Sequence, residues 1–409
     1  MSEPVPTWRE VLGLATFRRL WLGNSVSLLG DWFTFVAVGT LAVADGSLWA
    51  VAVVLLAHTL PRALLAPFAG RLADRVDRRA LVVLFSLLRA VVVAGMIAAV
   101  YAGALGAVQV LLFVRMALGA FVDPAANASL PQLVPTAAIG PANALMGATW
   151  SVLFAVGVGL GGLVTAYVGT VGALAIDAAT FVLAAGIFAA LPPLPPGKAA
   201  HDRGRLADAW ALAWRERPIL AAVLAKVPLA LASGGAWIWL HGYAAGSSPR
   251  TDAGAAALTL GVLHALRGVG TGAGPLLWAR IPGMHASLRG VHAATLTGLA
   301  AIALFAAVHA TPVVLVAMVL WGVGVGANWV NGVTRMQMLT PNHALGRMAG
   351  IDLMLAAGGQ CVGGLLGAAV AERLVAPAAA AWCGLVIAGA AWGLTGALVR
   401  AGRGEAKVP

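Results

Sequence analysis

Residues 290–334, GVHAATLTGLAAIALFAAVHATPVVLVAMVLWGVGVGANWVNGVT, contain no Lys, Arg, Asp or Glu. A helix needs about 20 mostly apolar residues to cross a hydrocarbon core of about 30 Å. This stretch is long enough for two crossings, with a break at Ala310-Thr311-Pro312. Charge-free runs recur at 124–176, 178–197, 227–249 and 374–399. Over the 409 residues, 61% are apolar, 51 are Gly and only 10% are charged, whereas soluble domains are about 45–50% apolar and about 25% charged. Strands of a membrane barrel would alternate polar and apolar over about ten residues, and these runs are uniformly apolar. The sequence therefore predicts an all-α membrane protein. Cutting at Gly, Pro and charge clusters gives twelve spans, near 17–44, 47–69, 80–101, 106–130, 137–166, 170–191, 219–243, 254–280, 288–309, 312–339, 346–372 and 378–399.

Cytoplasmic loops of membrane proteins carry the excess of Lys and Arg. With the N-terminus inside, inner segments hold 18 Lys and Arg, whereas outer segments hold only Arg250 and Arg373. Both termini are expected in the cytoplasm, and the net charge of +11 follows from basic loops facing anionic headgroups, with no nucleic-acid partner. Residues 1–16 include Glu3, Arg9 and Glu10 and lead into an apolar run too long for an h-region, so no cleaved signal is expected. Cys361 and Cys383 fall inside spans and read as small buried hydrophobes. No metal-ligand or catalytic constellation is found, so no cofactor, metal or enzyme activity is expected. The absence of a Gly-x-x-x-x-Gly-Lys-Ser/Thr loop disfavours an ATP-driven pump.

The long polar interruption at 192–217 opens Leu-Pro-Pro-Leu-Pro-Pro-Gly and closes with Leu206, Trp210 and Trp214 spaced for a short interfacial helix. It predicts an N-terminal six-helix bundle at 1–191, a cytoplasmic linker, and a C-terminal bundle at 218–409. The halves match at offsets of 202–206 residues. Gly157, Gly161 and Gly162 return as Gly359, Gly363 and Gly364, and are read as helix-packing glycines. Gly30-Asp31-Trp32 returns as Gly235-Ala236-Trp237, and Leu133-Val134-Pro135 as Leu339-Thr340-Pro341. Two parallel repeats imply a pseudo-twofold axis along the membrane normal.

The loop Gly70-Arg71-Leu72-Ala73-Asp74-Arg75-Val76-Asp77-Arg78-Arg79 resembles the signature loop of the major facilitator superfamily. Arg115-x-x-x-Gly119 resembles that family's fourth-helix motif, with Leu118 where Gln is usual. Gly157-Val158-x-x-Gly161-Gly162 resembles its antiporter motif, with Val158 in place of Pro. Leu29-Gly30-Asp31-Trp32, Asp123-Pro124-Ala125, Pro131-Gln132-Leu133-Val134-Pro135, Ala142-Asn143-Ala144-Leu145 and Ile176-Asp177-Ala178-Ala179-Thr180-Phe181 resemble the bacterial exporter branch that includes the enterobactin exporter and macrolide efflux pumps. The resemblance implies the major facilitator fold: two pseudo-symmetric six-helix bundles rocking about a central site. It also implies a monomer in the bacterial cytoplasmic membrane. In this reading Gly70, Asp74, Arg75, Arg78, Arg79, Arg347 and Asp352 form a conformational latch on the inner side.

Ionisable residues within spans are costly and are functional candidates by default. Asp31 lies about 14 residues into the first span, roughly 21 Å along it at 1.5 Å per residue. It reads as a proton carrier or as a structural acid paired to a neighbouring helix. Arg115 reads as its switching partner or as a fixed ion pair with Asp123 or Asp177, and Asp177 as structural. Arg62, Arg89, Lys226, Arg267 and Arg335 are expected to snorkel from inner halves or helix ends. His58, His264 and His309 read as packing residues. In the family the first, fourth, seventh and tenth helices line the cavity, so Asn24, Trp32, Phe35, Trp237, Trp239, Asn328, Trp329 and Asn331 are the candidate substrate contacts. Such a wall suits a lipophilic, amphipathic or siderophore-like small molecule exported against protons. A lipid flippase, an uncoupled facilitator and a transport-inactive receptor are the alternatives.

Overall fold

The computed structural model describes residues 6–73, 75–195, 206–246, 253–284, 287–341 and 344–401. Fourteen helices are found among them: α1 Trp8–Gly13, α2 Ala15–Ala44, α3 Leu48–Ala73, α4 Arg78–Tyr101, α5 Leu105–Leu133, α6 Ile139–Ala189, α7 Leu206–Arg215, α8 Arg217–Leu224, α9 Val227–Gly246, α10 Ala253–Arg280, α11 Leu288–Ala307, α12 Thr311–Leu339, α13 Leu345–Leu374 and α14 Ala379–Ala401. Among the described residues nine stretches are long and apolar enough to cross a membrane. One of them, α6, is two helices joined at Gly169, whose φ of 79° breaks the helical path and suits the residue without a Cβ. Splitting it there and adding α10 and α14 brings the spans to twelve, with ends mostly within a turn of those expected.

Local chemistry sets the boundaries. Asp77 caps α4, its carboxylate accepting from the Ala80 N–H at 2.9 Å, and Ser287 caps α11 through the Gly290 N–H at 3.0 Å. Both side chains satisfy a donor that the first helical turn leaves open. Pro at the first positions of α8 and α12 removes such a donor outright.

Compactness divides the chain into two units, Met1–Leu41 with Ala57–Ala200 and Thr251–Ala265, and Ala42–Leu56 with His201–Arg250 and Leu266–Pro409. In the first, α2 is the helix others close upon. A Cβ at Gly157 or Gly161 of α6 would stand 2.8 Å from Trp32 or 2.9 Å from its carbonyl, and one at Gly23 would stand 2.4 Å from Phe188. In the second, α9 plays that part. A Cβ on Gly363 of α13 would stand 1.9 Å from the Leu231 carbonyl, and one on Gly235 would stand 2.2 Å from the Ala380 carbonyl of α14. Of the glycines repeated in the sequence, Gly161 and Gly363 sit at close helix approaches at matching places in both units, whereas Gly157 does so without its counterpart Gly359. Helix α7 packs Ala209 and Ala213 into a core with Leu220, Val223, Met336 and Met348.

Candidate functional site

Ser27, Asp31 and Thr34 recur at helical spacing on one face of α2, and that face meets α4, α5 and the second segment of α6. Oδ1 of Asp31 accepts from Nη2 of Arg89 and from Nη2 of Arg115, the latter at 2.5 Å. The same Arg115 nitrogen donates to Oδ2 of Asp177 at 2.8 Å, which also accepts from Thr34 Oγ1 at 2.6 Å. Arg89 Nη1 donates to Ser27 Oγ at 3.1 Å. The Phe181 ring, one turn beyond Asp177, lies 3.9 Å from the Arg89 guanidinium and 5.1 Å from that of Arg115. A Cβ on Gly30 would stand 2.1 Å from Thr180 Oγ1 and 2.5 Å from Asp177 Oδ1, so the residue before Asp31 must be small for the second acid to reach the cluster.

Two carboxylates and two guanidiniums make a neutral quartet. Neutrality decides whether it survives, because isolated buried ions cost several kcal/mol each unless paired and hydrogen-bonded. The two acids are not equivalent. The side chain of Asp177 is 0% exposed and that of Asp31 11%, because Asp31 borders a cavity of about 590 Å³. The cavity wall combines Trp21, Asn24, Ser27, Arg62, Arg89, Asp123, Asn127, Asn143 and Trp150, drawn from α2 through α6. Arg62 and Asp123 form an open ion pair there, at 3.8 Å.

Of the expected substrate contacts, Asn24 lines this cavity and the other seven do not. Trp32 is packed against Gly157 and Phe154, and Phe35 sits among Trp32, His58 and His264. Trp239 donates to the Phe305 carbonyl at 3.2 Å. Asn328 donates to Thr295 at 2.8 Å, and Asn331 to the Ala327 carbonyl at 2.8 Å. Trp237 faces Arg267 and His241, while Trp329 is partly exposed beside Lys226. Helix α9 is buried along most of its length, so Trp237 and Trp239 pack against neighbouring helices of the second unit.

The snorkelling expectation is corrected at three positions. Arg89, Lys226 and Arg267 are buried. Arg89 sits midway along α4, too deep to reach an interface, so the nearest carboxylate claims it. Of the residues expected in the inner latch, Arg78 is buried and donates to the Ala128 carbonyl at 2.7 Å, and Asp352 forms a buried ion pair with Lys226. Enclosed charges take the partner at hand in their own unit. Asp74 lies outside the described residues. Gly70 is within α3, Arg75 is exposed, and Arg79 and Arg347 are half-buried. The loop's other acid, Asp77, accepts from Ala80 and, at 2.8 Å, from the Leu194 N–H, tying α4 to the segment after α6. Sequence reading missed Arg89, Thr34, Ser27 and Phe181 as members of the cluster. The signal for them was the helical spacing of Ser27, Asp31 and Thr34, and of Asp177 and Phe181.

The profile of the Major Facilitator Superfamily matches residues 20–364. An uncharacterized MFS-type transporter of Bacillus subtilis (strain 168), YfiS, is 33% identical over 189 residues, which are 46% of this chain and 44% of YfiS. The multidrug efflux pump Tap of Mycolicibacterium fortuitum is 31% identical over 188 residues, 44% of this chain and 46% of Tap. The chain thus spans a little less than half the length of these curated relatives. Among solved structures, a bacterial homolog of the human lysosomal transporter Spinster superposes with a TM-score of 0.70 at 15% identity, over 98% of each chain. With nine stretches among the described residues long and apolar enough to cross a membrane, and a family match over most of its length, the chain belongs to the major facilitator superfamily and is a multi-pass membrane protein of that family's fold.

Proposed function

We propose that the protein exports a lipophilic, amphipathic or siderophore-like small molecule from the bacterial cytoplasm in exchange for protons. It works as a monomer by rocking bundles 1–191 and 218–409, joined by 192–217, with both termini cytoplasmic. Asp31 is the coupling acid and Arg115, joined by Arg89, its partner. The observation that carries this reading is the double membership of Asp31: one carboxylate both borders the solute-sized cavity and closes the buried quartet. A proton taken up there breaks two charge pairs at once, so loading the cavity and rearranging α4 and α5 become one event. Resemblance to the enterobactin and macrolide exporter branch, and the likeness to Tap, support export. On the inner side Gly70, Asp74, Arg75, Arg78, Arg79, Arg347 and Asp352 form the conformational latch.

A second reading, an uncoupled facilitator or lipid flippase, has one observation in its favour: the quartet is already neutral and internally bonded, as a fixed structural element would be. Proteoliposomes separate the two. Under an imposed pH gradient, coupled export predicts gradient-driven efflux of a fluorescent amphipathic solute that Asp31→Asn abolishes. Dye or lipid movement indifferent both to the gradient and to that substitution would replace the coupled reading with the second.

A further inference from the structure

We propose that Arg62 and Asp123 form a clamp for zwitterionic amphipathic solutes. The inference rests on reading the α2–α6 cavity as the solute site. The wall of that cavity carries two acids and two guanidiniums, Asp31, Asp123, Arg62 and Arg89, so it offers no net charge to attract a simple cation or a simple anion. Asp31 and Arg89 are already bonded to each other and are almost fully buried, at 11% and 3% side-chain exposure. Removing one partner of such a pair leaves an uncompensated buried ion.

Arg62 and Asp123 differ on each count. They stand 3.8 Å apart, with side-chain exposures of 32% and 60%, and exposed pairs of this kind contribute little and separate cheaply. The Nη2 of Arg62 faces Asp123 beyond hydrogen-bond distance, so it remains able to donate to a solute, and the planar guanidinium fork suits a carboxylate. Asp123 is the more open of the pair and suits an ammonium.

A cation entering alone would take Asp123 and strand Arg62; an anion alone would do the reverse. A solute carrying both charges replaces each half of the pair with its own opposite and keeps the wall neutral. Asn127, one turn after Asp123, and Asn143 on α6 offer hydrogen bonds to the solute's carbonyls, and the partly exposed Trp150 offers a ring face. The fitting class is a flat amphiphile bearing one carboxylate and one amine.

The test uses three ligands on one fluorescent scaffold: ciprofloxacin (zwitterion), its methyl ester (cation) and its N-acetyl derivative (anion). Binding to the purified full-length protein is followed by fluorescence titration near neutral pH. The zwitterion is expected to bind about tenfold or more tightly than either single-charge form, the scale of one lost charged hydrogen bond. Asp123→Asn removes its advantage over the anion and Arg62→Gln its advantage over the cation. The exchanged pair Arg62→Asp with Asp123→Arg retains the preference, which guards against variants that merely misfold. Equal binding of all three, binding of none, or a preference unchanged in the single variants overturns the clamp. Selective binding without gradient-driven flux overturns coupled export and leaves the clamp standing, while gradient-driven flux without charge preference does the reverse.

Discussion

Asp31 and Asp177 hold the same nitrogen: Nη2 of Arg115 donates to one at 2.5 Å and to the other at 2.8 Å. The two acids nevertheless face different surroundings, one bordering a cavity and one enclosed beside Gly30 and Thr34. The place of Asp31 in the second repeat is taken by Ala236, so this half of the repeat lacks the acid that closes the cluster. Its members therefore divide between transport and stability according to exposure.

Asp177→Asn should chiefly destabilise. It leaves two guanidiniums sharing one carboxylate in a dry site, and removing one partner of a buried pair costs about 3–5 kcal/mol. Asp31→Asn strands Arg89 at the cavity wall, where solvent entering the cavity can reach it, so this variant should melt closer to wild type while losing gradient-driven flux by about tenfold or more. Thermal unfolding in detergent together with vesicle flux checks the split; equal melting losses for the two variants would remove the distinction.

The repeated glycines predict an asymmetry. A Cβ on Gly363 would stand 1.9 Å from the Leu231 carbonyl, whereas one on Gly359 meets Ala230 Cβ at an ordinary 3.4 Å. Gly363→Ala must push backbone apart and should cost about 1–3 kcal/mol. Gly359→Ala should be neutral or gain up to about 1 kcal/mol from helix propensity. Melting temperatures of the two variants, measured side by side, decide it.

The twelve spans were legible because bilayer thickness imposes one length on apolar runs, and the packing glycines because the repeat printed them twice. Partner choice was not legible. Arg89 reads as a snorkelling residue on its own helix, and only the neighbouring α2 shows which carboxylate it meets. Trp237, Trp239 and Asn328 carry the chemistry of a cavity wall, but their side chains are buried against neighbouring helices, and a single sequence does not say which face of a helix its neighbours cover. Asp123 was visible as an acid next to Pro124, while its pairing with Arg62 depends on the approach of α3 to α5.

Helix α1 gives a pH prediction outside the membrane. Glu10 accepts from the Thr7 N–H at 2.7 Å and from Thr7 Oγ1 at 2.9 Å, and these bonds hold its carboxyl below the usual glutamate value. A depressed value means the capping contribution is present above the ordinary carboxylate range and is lost as pH falls through the folded-state value. Amides of α1 should therefore exchange faster with deuterium on acidification below about pH 4, after correction for intrinsic rates. Glu10→Gln should flatten that response; an unchanged acid step in the variant would assign it to another group.

Lys226 and Asp352 supply the test of whether a buried pair in the second unit stabilises or merely specifies. Both are almost fully buried, the ammonium lies 4.8 Å from the Trp329 ring, and Asp352 Oδ1 has no partner among the described residues. An incompletely satisfied pair repays its desolvation poorly, yet breaking it strands an ion. Lys226→Met alone should therefore cost about 3–5 kcal/mol, while Lys226→Met with Asp352→Leu should recover most of that loss and could exceed wild type. The double-mutant cycle read from unfolding midpoints measures the coupling directly. Additive losses in the double variant would mean the pair contributes through packing against Gly332 and Trp329 and not through its charges.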